Sequence, residues 1–583
     1  MAELWGGTPL TLTNLPAGIV CTATVMDYEG HAGDSNHSDE FASPRTVTVR
    51  LVRDDAATVI SRTWHIYSHA TNTYATVTRL TIRAHSATAA IGDSGNAVTT
   101  ETVFDSDAPG VPLLLRGRPL SATDENGVTT SYEYALGTFD AATRTFTVSS
   151  VGPHLRTVSM RTTAAAPVGI AGKSVKNLTI QDATHGVTLH SATLAILPDW
   201  SLSEAFDWQT HAYDDKNRLR STRYADGSSS TNVYSCCRLL WTMDRDGNKV
   251  LRSAVTGSDH LYHAMEEVSL RELTEADPFY YAPARYFRVT QHFMDALGRE
   301  TNTTVRTSRF EGTATVPGFT SPAYPCFTDT TIYPDGTSDY RVHTNRRGVR
   351  SVSWNTSLPD REEQVTQTFH PTNLTAYVLL VSNVTWRSGH SLIARSWADG
   401  WTRETHLTDY TDEGCRRELA ITTASDMLSV VTNSVTLYDF LGRPVSTATP
   451  APGGTWLITT NSYAGATSRL VRSEAAGLPP VTYTFDALGD PVGTTRSGIT
   501  VASDTRYESI SNEVWRVTTG TTAAQGVTNA TETTREQMTG LSAALRGRTV
   551  TVSADGAVTT VERSFNPTTK TETTTISAMP KYL

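Results

Sequence analysis

Much of the chain alternates hydrophobic and polar residues in short runs, which is the pattern of a strand with one covered face. Clear examples are RTVTVRLV from Arg45 and ATVTRLTIRA from Ala75. Groups of Asp, Gly, Asn and Ser separate the runs, as turns between strands require. Thr, Val and Ser are abundant, and 39 of the 583 residues are Gly. The pattern predicts an all-β protein with short strands and many turns.

Two segments break the alternation and predict short helices. The first lies in HAMEEVSLRELTEADPFYY, where Met265 to Ala276 form a helical run before Pro278. The second is TTREQMTGLSAALRG from Thr533, with Gly540 in its middle. The first interrupts the strand periodicity and is expected to be an insertion or a loop.

A turn motif recurs along the chain, in which an aromatic residue or Met precedes Asp-x-x-Gly. Asp at position i and Gly at i+3 are typical of a type I turn followed by a left-handed residue. In YDDKNR, Asn217 replaces the Gly, and Asn is the next most tolerant residue for that conformation. An Arg or Lys after the Gly often begins the next strand. We therefore predict hairpin turns, with structural roles, at Asp27, Gly30, Tyr213, Asp214, Asp244, Gly247, Asp295, Gly298, Arg299, Tyr438, Asp439, Gly442, Arg443, Phe485, Asp486 and Gly489.

A second turn signal, adjacent Asp-Gly, falls between these motifs at Asp226, Asp335, Asp399 and Asp555. The two signals together fit units of about 20 residues, each forming one hairpin, as in stacked repeat proteins. A carboxylate copied at every hairpin is expected to serve turn geometry, because a catalytic carboxylate needs one special environment.

The charge pattern argues against nucleic-acid or anionic-membrane partners. The formal net charge is −10, and neither sign forms a long run. Only six of the 49 basic residues are Lys, so nearly all are Arg, which can bind several carbonyls or a carboxylate in a fixed fork. This bias suits a protein whose strands are tied together by side chains.

The five cysteines are too few and too scattered for a disulfide framework, and none has metal-ligand spacing with a His. The first residues, MAELWGGTPLTLTNL, lack a basic region followed by an apolar run, and no stretch of about 18 apolar residues occurs. The sequence therefore predicts no signal peptide, membrane span, metal site or cofactor.

The segments YDFLGRPVSTAT, FDALGDPVGTT, MDALGRETNTT and MDRDGNKVLRS resemble the YD repeats of bacterial RHS-repeat proteins, from about residue 205 to 570. That family also includes insecticidal toxin-complex proteins and the animal teneurins. The resemblance implies antiparallel hairpins in a sheet that spirals into a hollow shell, which commonly encloses a C-terminal toxin. The family's closing segment, Arg-Tyr-Tyr-Asp-Pro then Gly-Arg-Phe, is absent, so we expect a shell portion. Residues 1–200 are expected to be a β-rich lead-in region, and residues 201–583 the repeat region.

GDSGN at Gly92 to Asn96 is similar to the GDSGG around the nucleophile of chymotrypsin-like proteases. Asn96 replaces the last Gly, however, and His65 lacks the surroundings of a catalytic histidine. The composition is also ordinary for a turn, which is the reading we favour.

Adjacent Cys236 and Cys237 could form a strained disulfide or a redox pair, but strand neighbours point to opposite faces, and buried structural cysteines are expected. The acid pairs Glu266/Glu267 and Glu362/Glu363 suggest glycoside hydrolysis only weakly, and a solvated surface is favoured. The oxygen-rich turns at Asp124 and Asp244 lack the closing Glu of a calcium loop.

The sequence thus favours a non-enzymatic shell that encapsulates or presents a polypeptide cargo or effector, secreted or at the cell surface as the resemblance implies. The alternative is a surface adhesion or glycan-binding protein that stacks sugars on Trp397, Trp401, Tyr280 and Tyr281.

Overall fold

The structure is a computed structural model that describes residues 20–32, 43–53, 56–163, 170–236, 238–256, 262–272, 286–294, 300–310, 319–332, 338–344, 350–357, 361–370, 373–386, 392–398, 402–424, 430–566 and 571–579. Within these ranges the chain forms strands, turns and bends, with no helix. The prediction of an all-β protein is confirmed. Because the described residues include no helix, none of them supplies a membrane-spanning helix.

The strands are numbered in chain order. The first thirteen are β1 (Val20–Asp27), β2 (Thr46–Arg53), β3 (Ala56–Thr71), β4 (Ala75–Arg83), β5 (Ala97–Phe104), β6 (Pro119–Thr123), β7 (Val128–Asp140), β8 (Thr145–Val148), β9 (His154–Thr163), β10 (Val175–Asp182), β11 (Thr188–Ile196), β12 (Leu202–Tyr213) and β13 (Leu219–Tyr224).

The next fourteen are β14 (Ser229–Tyr234), β15 (Leu239–Met243), β16 (Lys249–Thr256), β17 (Tyr262–Glu272), β18 (Tyr286–Met294), β19 (Glu300–Phe310), β20 (Phe319–Ile332), β21 (Ser338–Thr344), β22 (Arg350–Ser357), β23 (Arg361–His370), β24 (Asn373–Trp386), β25 (Leu392–Ala398), β26 (Thr402–Tyr410) and β27 (Arg416–Ala424).

The last twelve are β28 (Val430–Tyr438), β29 (Pro444–Pro450), β30 (Trp456–Tyr463), β31 (Leu470–Ala475), β32 (Val481–Phe485), β33 (Pro491–Arg496), β34 (Ile499–Ile510), β35 (Glu513–Ala524), β36 (Val527–Gln537), β37 (Leu545–Val552), β38 (Val558–Asn566) and β39 (Thr571–Met579).

Neighbours in sequence are usually neighbours in the sheet. For example, β29 pairs antiparallel with β30, β30 with β31 and β32 with β33. An exception is β7, whose last residues pair with β8 while its first ten pair with β9. The repeated hairpins therefore stack in chain order, as a repeat array with short connections does.

The chain divides into two compact units. Unit 1 comprises Met1–Ser228, Tyr410–Arg417 and Val435–Leu583, and unit 2 comprises Ser229–Asp409 and Glu418–Ser434. The region predicted as a lead-in, residues 1–200, lies wholly in unit 1. Unit 1 thus contains strands from both ends of the sequence, and the contacts between them position the site described below.

The core of unit 1 consists of small apolar clusters. One is built on Trp64 and Ile82 of β3 and β4. A second joins Phe104 to Leu155, which is 1% exposed. A third packs Phe206 of β12 against Val514 of β35. Two of these clusters receive residues from the late part of the chain, since Phe440 packs on the first and Tyr507 on the third.

Both predicted helices are wrong. Met265 lies in β17, opposite Ala254 on one side and His292 on the other. The second segment forms the end of β36 and the start of β37, with a turn around Gly540 between them. Local helix propensity is a weak preference, and strand pairing on both edges overrides it.

Candidate functional site

The YDFLGR turn that joins β28 and β29 shows the geometry of the repeat. The N–H of Gly442 donates to the carbonyl of Asp439 at 3.0 Å, and the N–H of Asp439 donates to that of Arg443 at 2.9 Å. Gly442 has φ of 84°, the left-handed conformation that Gly adopts without strain. The strand register shifts at Tyr438, so the turn ends in a bulge.

The Asp439 carboxylate binds both the turn and the residue after it. One oxygen accepts the backbone N–H of Arg443 at 2.8 Å, and the other accepts its Nε at 2.7 Å. The Nη1 group of Arg443 donates to the carbonyls of Gly465 and Thr467 in the next hairpin, at 2.8 and 2.5 Å. The Asp and Arg of one repeat therefore fix the turn and join it to its neighbour.

The same closure occurs at Asp214, Asp244 and Asp486. In each, the N–H at position i donates to the carbonyl at i+4, and the N–H at i+3 donates back to the carbonyl at i. Asn217 has φ of 57°, and Gly247 and Gly489 have 75° and 81°. The aromatic residues Tyr213 and Phe485 each stand at a register shift, as Tyr438 does. The motif builds one local structure at each of these four places.

One predicted copy differs, and another is not described. β1 ends at Asp27 and pairs with β2, which begins only at Thr46, so Asp27 and Gly30 do not close a tight hairpin. Asp27 instead accepts the N–H of Glu29 at 3.0 Å, which caps the end of β1. The other copy, Asp295, Gly298 and Arg299, lies outside the described residues.

In the late hairpins of unit 1, an Arg that follows one turn lies over an aromatic residue of a later turn. The guanidinium carbon of Arg416 lies 3.9 Å from the ring centre of Tyr438, and that of Arg443 lies 4.7 Å from Tyr463. Arg469 continues the series over Phe485, at 6.0 Å. These are cation–π distances, and they form a ladder through four successive turns.

Arginines also bind turns of unit 1 across large sequence distances. Arg83, which ends β4, donates to the carbonyl of Leu441 at 2.5 Å. Arg161 of β9 donates to that of Leu488 at 3.1 Å. In both turns the bound carbonyl belongs to the residue before the Gly, and that Leu is buried, with 7% and 3% of its surface exposed.

The reverse arrangement occurs once in the described structure. Arg469 donates to the carbonyl of Asn126 at 3.2 Å, again the residue before a Gly, and the Asn126 amide donates to the Ser468 hydroxyl at 3.1 Å. Three arginine-to-carbonyl contacts join the early strands of unit 1 to its late hairpins: Arg83 to Leu441, Arg161 to Leu488 and Arg469 to Asn126. We call them turn clamps.

A pocket of about 620 Å³ lies beside the last of the repeat turns. Lys173 and Asp486 line it together with residues of β34 and β35. The Lys173 ammonium contacts the Asp504 carboxylate at 2.6 Å and lies 3.9 Å from that of Asp486. The FDALGD turn has Asp490 where the turns at Asp214 and Asp439 have Arg, and Asp490 faces Arg161 at 3.5 Å. At this turn the repeat residue Asp486 therefore lies near Lys173, which comes from the early part of unit 1.

The largest pKa shifts belong to side chains that stabilise the sheet and its turns. The Arg218 side chain holds the pKa of Asp214 down at about 2. Burial, with Arg144 nearby, lowers the pKa of His190 to about 4. His190 lies directly opposite Thr210 and bonds its hydroxyl at 2.9 Å, and His211 pairs in the same way with Thr222 at 3.0 Å. These cross-strand bonds give the histidines a structural role.

The GDSGN segment forms a turn braced by Asn96. This side chain is 4% exposed and donates to the carbonyl of Ala90 at 2.7 Å, while its oxygen accepts the N–H of His85 at 3.2 Å. Ser94 is exposed, and His65 lies on β3 bonded to the hydroxyl of Thr81. The segment thus has the contacts of a structural turn.

The cysteine prediction fails for the one member of the pair that the structure describes. Cys236 is exposed at the bend between β14 and β15 instead of buried on a strand. The pair falls where the hairpin turns, because the N–H of Ser235 already closes on the carbonyl of Arg238. Cys237 lies outside the described residues.

Glu266/Glu267 lie on β17 and Glu362/Glu363 on β23. The carboxylates of Asp124 and Asp244 accept N–H groups of their own turns. Among the described residues, no group of three or more His, Cys, Asp or Glu could hold a metal ion.

Of the aromatic residues considered for sugar stacking, Trp401, Tyr280 and Tyr281 lie outside the described residues. Trp397 lies on β25, and its side chain is likewise not described.

Sequence reasoning missed the partners of the repeat. The ladder has a visible signal, the recurrence of Arg a few residues after an aromatic together with the scarcity of Lys. The turn clamps and the position of Lys173 have no such signal, because they join residues that are far apart in sequence.

No known protein family and no curated protein matches the chain. Among solved structures it is similar to the crystal structure of TcdB2-TccC3, with 10% identity over 94% of this chain and 41% of that one, at a TM-score of 0.17. It is also similar to the Photorhabdus luminescens Tc holotoxin pore, with 9% identity over 90% and 34% of the two chains, at a TM-score of 0.22. TcdB2-TccC3 without its hypervariable C-terminal region gives 10% identity, 92% and 42% coverage and a TM-score of 0.17. The chain thus spans less than half the length of each of these proteins.

Proposed function

We propose that this protein is a non-enzymatic structural shell of the RHS/YD-repeat type, which encapsulates or presents a polypeptide in a secreted or cell-surface system. The supporting observation is how the repeated residues are used. Asp439 and Gly442 bond within their own turn, Arg443 also binds the next hairpin, and Tyr438 is covered by Arg416 of the preceding one.

Residues whose bonding groups are used within the fold in this way are typical of a structural wall. A catalytic carboxylate is singular and is held where it meets a substrate. At each of four described turns, one oxygen of the repeat Asp instead accepts the backbone N–H of the residue four positions later, so this oxygen serves the turn. The long row of hairpins supplies surface for enclosing another chain, which is the function that the RHS resemblance implies.

The proposal is tested by imaging particles of the protein expressed from its complete reading frame. We expect a wall of β-sheet around an interior space that holds additional polypeptide. In parallel, limited proteolysis should spare the enclosed polypeptide in the native particle and digest it once the wall is unfolded. A solid particle without interior space would refute the shell.

The adhesion alternative predicts a different result. A glycan array probed with the intact protein should show saturable binding that is lost when Trp397 is replaced by Ala. Uniform silence on the array, together with protection of an enclosed chain, is the outcome expected of a shell.

A further inference from the structure

Lys173 lies between two carboxylates that come from another part of unit 1. Its Nζ is 2.6 Å from an oxygen of Asp504 and 3.9 Å from an oxygen of Asp486. The side chains of Lys173 and Asp486 are largely shielded, with 22% and 12% of their surface exposed, whereas that of Asp504 is half-exposed, at 51%. Lys173 precedes β10, whereas the two carboxylates belong to the late hairpins, so the three groups meet only in the folded chain.

The backbone around these groups is fixed. The N–H of Lys173 donates to the carbonyl of Ile170 at 2.9 Å, and the neighbouring Gly172 is bonded on both sides, to Ile196 and Tyr507. Gly172 has φ of 76°, which sets the tight turn that aims Lys173 at β34. Asp504 is held in β34 opposite Thr519. The backbone segments that carry Lys173 and Asp504 are therefore held beside each other.

Asp486 is oriented differently from the other repeat aspartates. One of its oxygens accepts the N–H of Asp490 at 3.0 Å, as the motif requires. At Asp214 and Asp439, the second oxygen accepts Nε of the following Arg. Because Asp490 replaces that Arg, the second oxygen of Asp486 faces Lys173 instead. A repeat carboxylate is thereby placed within reach of an amine.

We propose that Lys173 and Asp504 form an intramolecular amide bond, with Asp486 carrying the proton. The ammonium passes one proton to the Asp504 carboxylate, with which it is in contact, and the neutral amine attacks the carbon of the resulting carboxyl group. Asp486 takes a second proton from the nitrogen and gives it to the departing hydroxyl, which leaves as water. An ammonium and a carboxylate thus become an amide and water, and no oxidant or other reactant is needed.

The fold supplies what this condensation lacks in solution. Amide formation from free ions in water is unfavourable, but well-oriented intramolecular groups reach effective molarities of about 10⁵ to 10⁸ M. The pocket beside the three groups gives the released water a way out. The bond would join the turn before β10 to β34, next to the clamp between Arg161 and Leu488. The inference goes beyond the proposed function and does not rest on it.

Intact-mass measurement of the denatured full-length protein tests the bond. We expect the folded wild-type protein to weigh less than its sequence by one water molecule, and a digest to contain a branched peptide joining Lys173 to Asp504. Lys173→Arg keeps the charge but cannot form this amide, so it should restore the full mass. Lys176→Arg on the adjoining strand is the matched control and should keep the loss. Asp486→Asn, which preserves the turn oxygen, should slow bond formation by about 100-fold or more, as removal of a proton-transfer group does.

Three results would overturn the proposal. One is a folded wild-type protein with its full sequence mass. A second is a loss of water that persists in Lys173→Arg, which would come from cyclisation at an Asp-Gly pair. The third is a branched peptide that joins Lys173 to Asp486, which would reverse the roles of the two acids. Circular dichroism of each variant separates a missing bond from a missing fold.

Discussion

The guanidinium of Arg443 lies over the ring of Tyr463 with its central carbon 4.7 Å from the ring centre, while its donors bind Asp439 in its own turn and two carbonyls beside Tyr463. One side chain thus completes a hairpin and attaches it to the next. The hydroxyl of Tyr463 donates in return to the carbonyl of Pro444, the residue after Arg443, at 3.0 Å. The contact between successive repeats is therefore reciprocal.

Replacing Arg443 by Ala should destabilise this part of unit 1 by about 2 to 4 kcal/mol, because several charge-assisted hydrogen bonds and a cation–π contact are lost together. Arg443→Lys should recover only part of this, since an ammonium cannot bind in a fork. Hydrogen exchange of the β28 to β31 amides measures the change. Arg472→Ala is the control, because its pair with Glu474 is half-exposed and worth at most about 1 kcal/mol. Equal effects at the two positions would contradict the ladder.

Leu488→Ala should cost about 2 to 5 kcal/mol, since the side chain is 3% exposed and its removal leaves a cavity beside the clamp with Arg161. The midpoint of urea unfolding checks the loss. Leu478, in the preceding turn region, is 50% exposed, and Leu478→Ala should change stability by less than about 0.5 kcal/mol. A Leu488→Ala protein as stable as wild type would show that this turn is not docked.

Gly414→Ala should be far more damaging than Gly442→Ala. Both residues have positive φ, 82° and 84°, so each substitution costs about 1 to 2 kcal/mol of backbone strain. At Gly414 the new methyl would also lie 2.1 Å from the carbonyl oxygen of Val59, whereas nothing lies within 4 Å at Gly442. We expect a total of about 4 kcal/mol or more at Gly414, read from thermal unfolding. Similar melting of the two variants would mean that the turn does not touch β3.

Stability should fall as the pH drops from 6.5 to 4 because of His190. Its pKa is about 4 in the folded protein and near 6.5 when unfolded, so in this window the unfolded chain binds more protons. Stability therefore rises with pH across the window, and the loss on acidification reaches about 3 kcal/mol for this one group. His190→Gln should flatten the pH dependence of unfolding by that amount. An unchanged slope would show that His190 takes up its proton without cost in the folded state.

The sequence predicted the local structure of the repeat well and its wider contacts poorly. Asn217 could be recognised as a left-handed residue because the conformation of a turn depends on the residue types within the turn itself. The contact of Arg83 with Leu441 could not be predicted, because neither sequence segment contains a signal that identifies the other as its partner. Met265 was misread for the same reason, because its strand depends on neighbours that local propensity does not represent.

Asp490 departs from the repeat motif, and the structure explains what this departure does. The FDALGD copy has Asp490 at the position of the Arg in YDFLGR. In the fold, this position faces Arg161 and leaves Asp486 beside Lys173. A repeat copy that departs from the motif thus marks a hairpin that contacts a different part of the chain instead of another repeat.

The clamp between Arg83 and Leu441 also bears on how the chain is made. The two residues are 358 positions apart. At ribosomal rates of about 5 to 20 residues per second, roughly 20 to 70 s pass between the synthesis of one and the other. During that delay, the surfaces of β3 and β4 that later receive Phe440 and Leu441 stand open to water and to other nascent chains. Production of this protein should therefore depend on chaperones that act at the ribosome, and faster translation of the stretch between the two residues should raise its soluble yield.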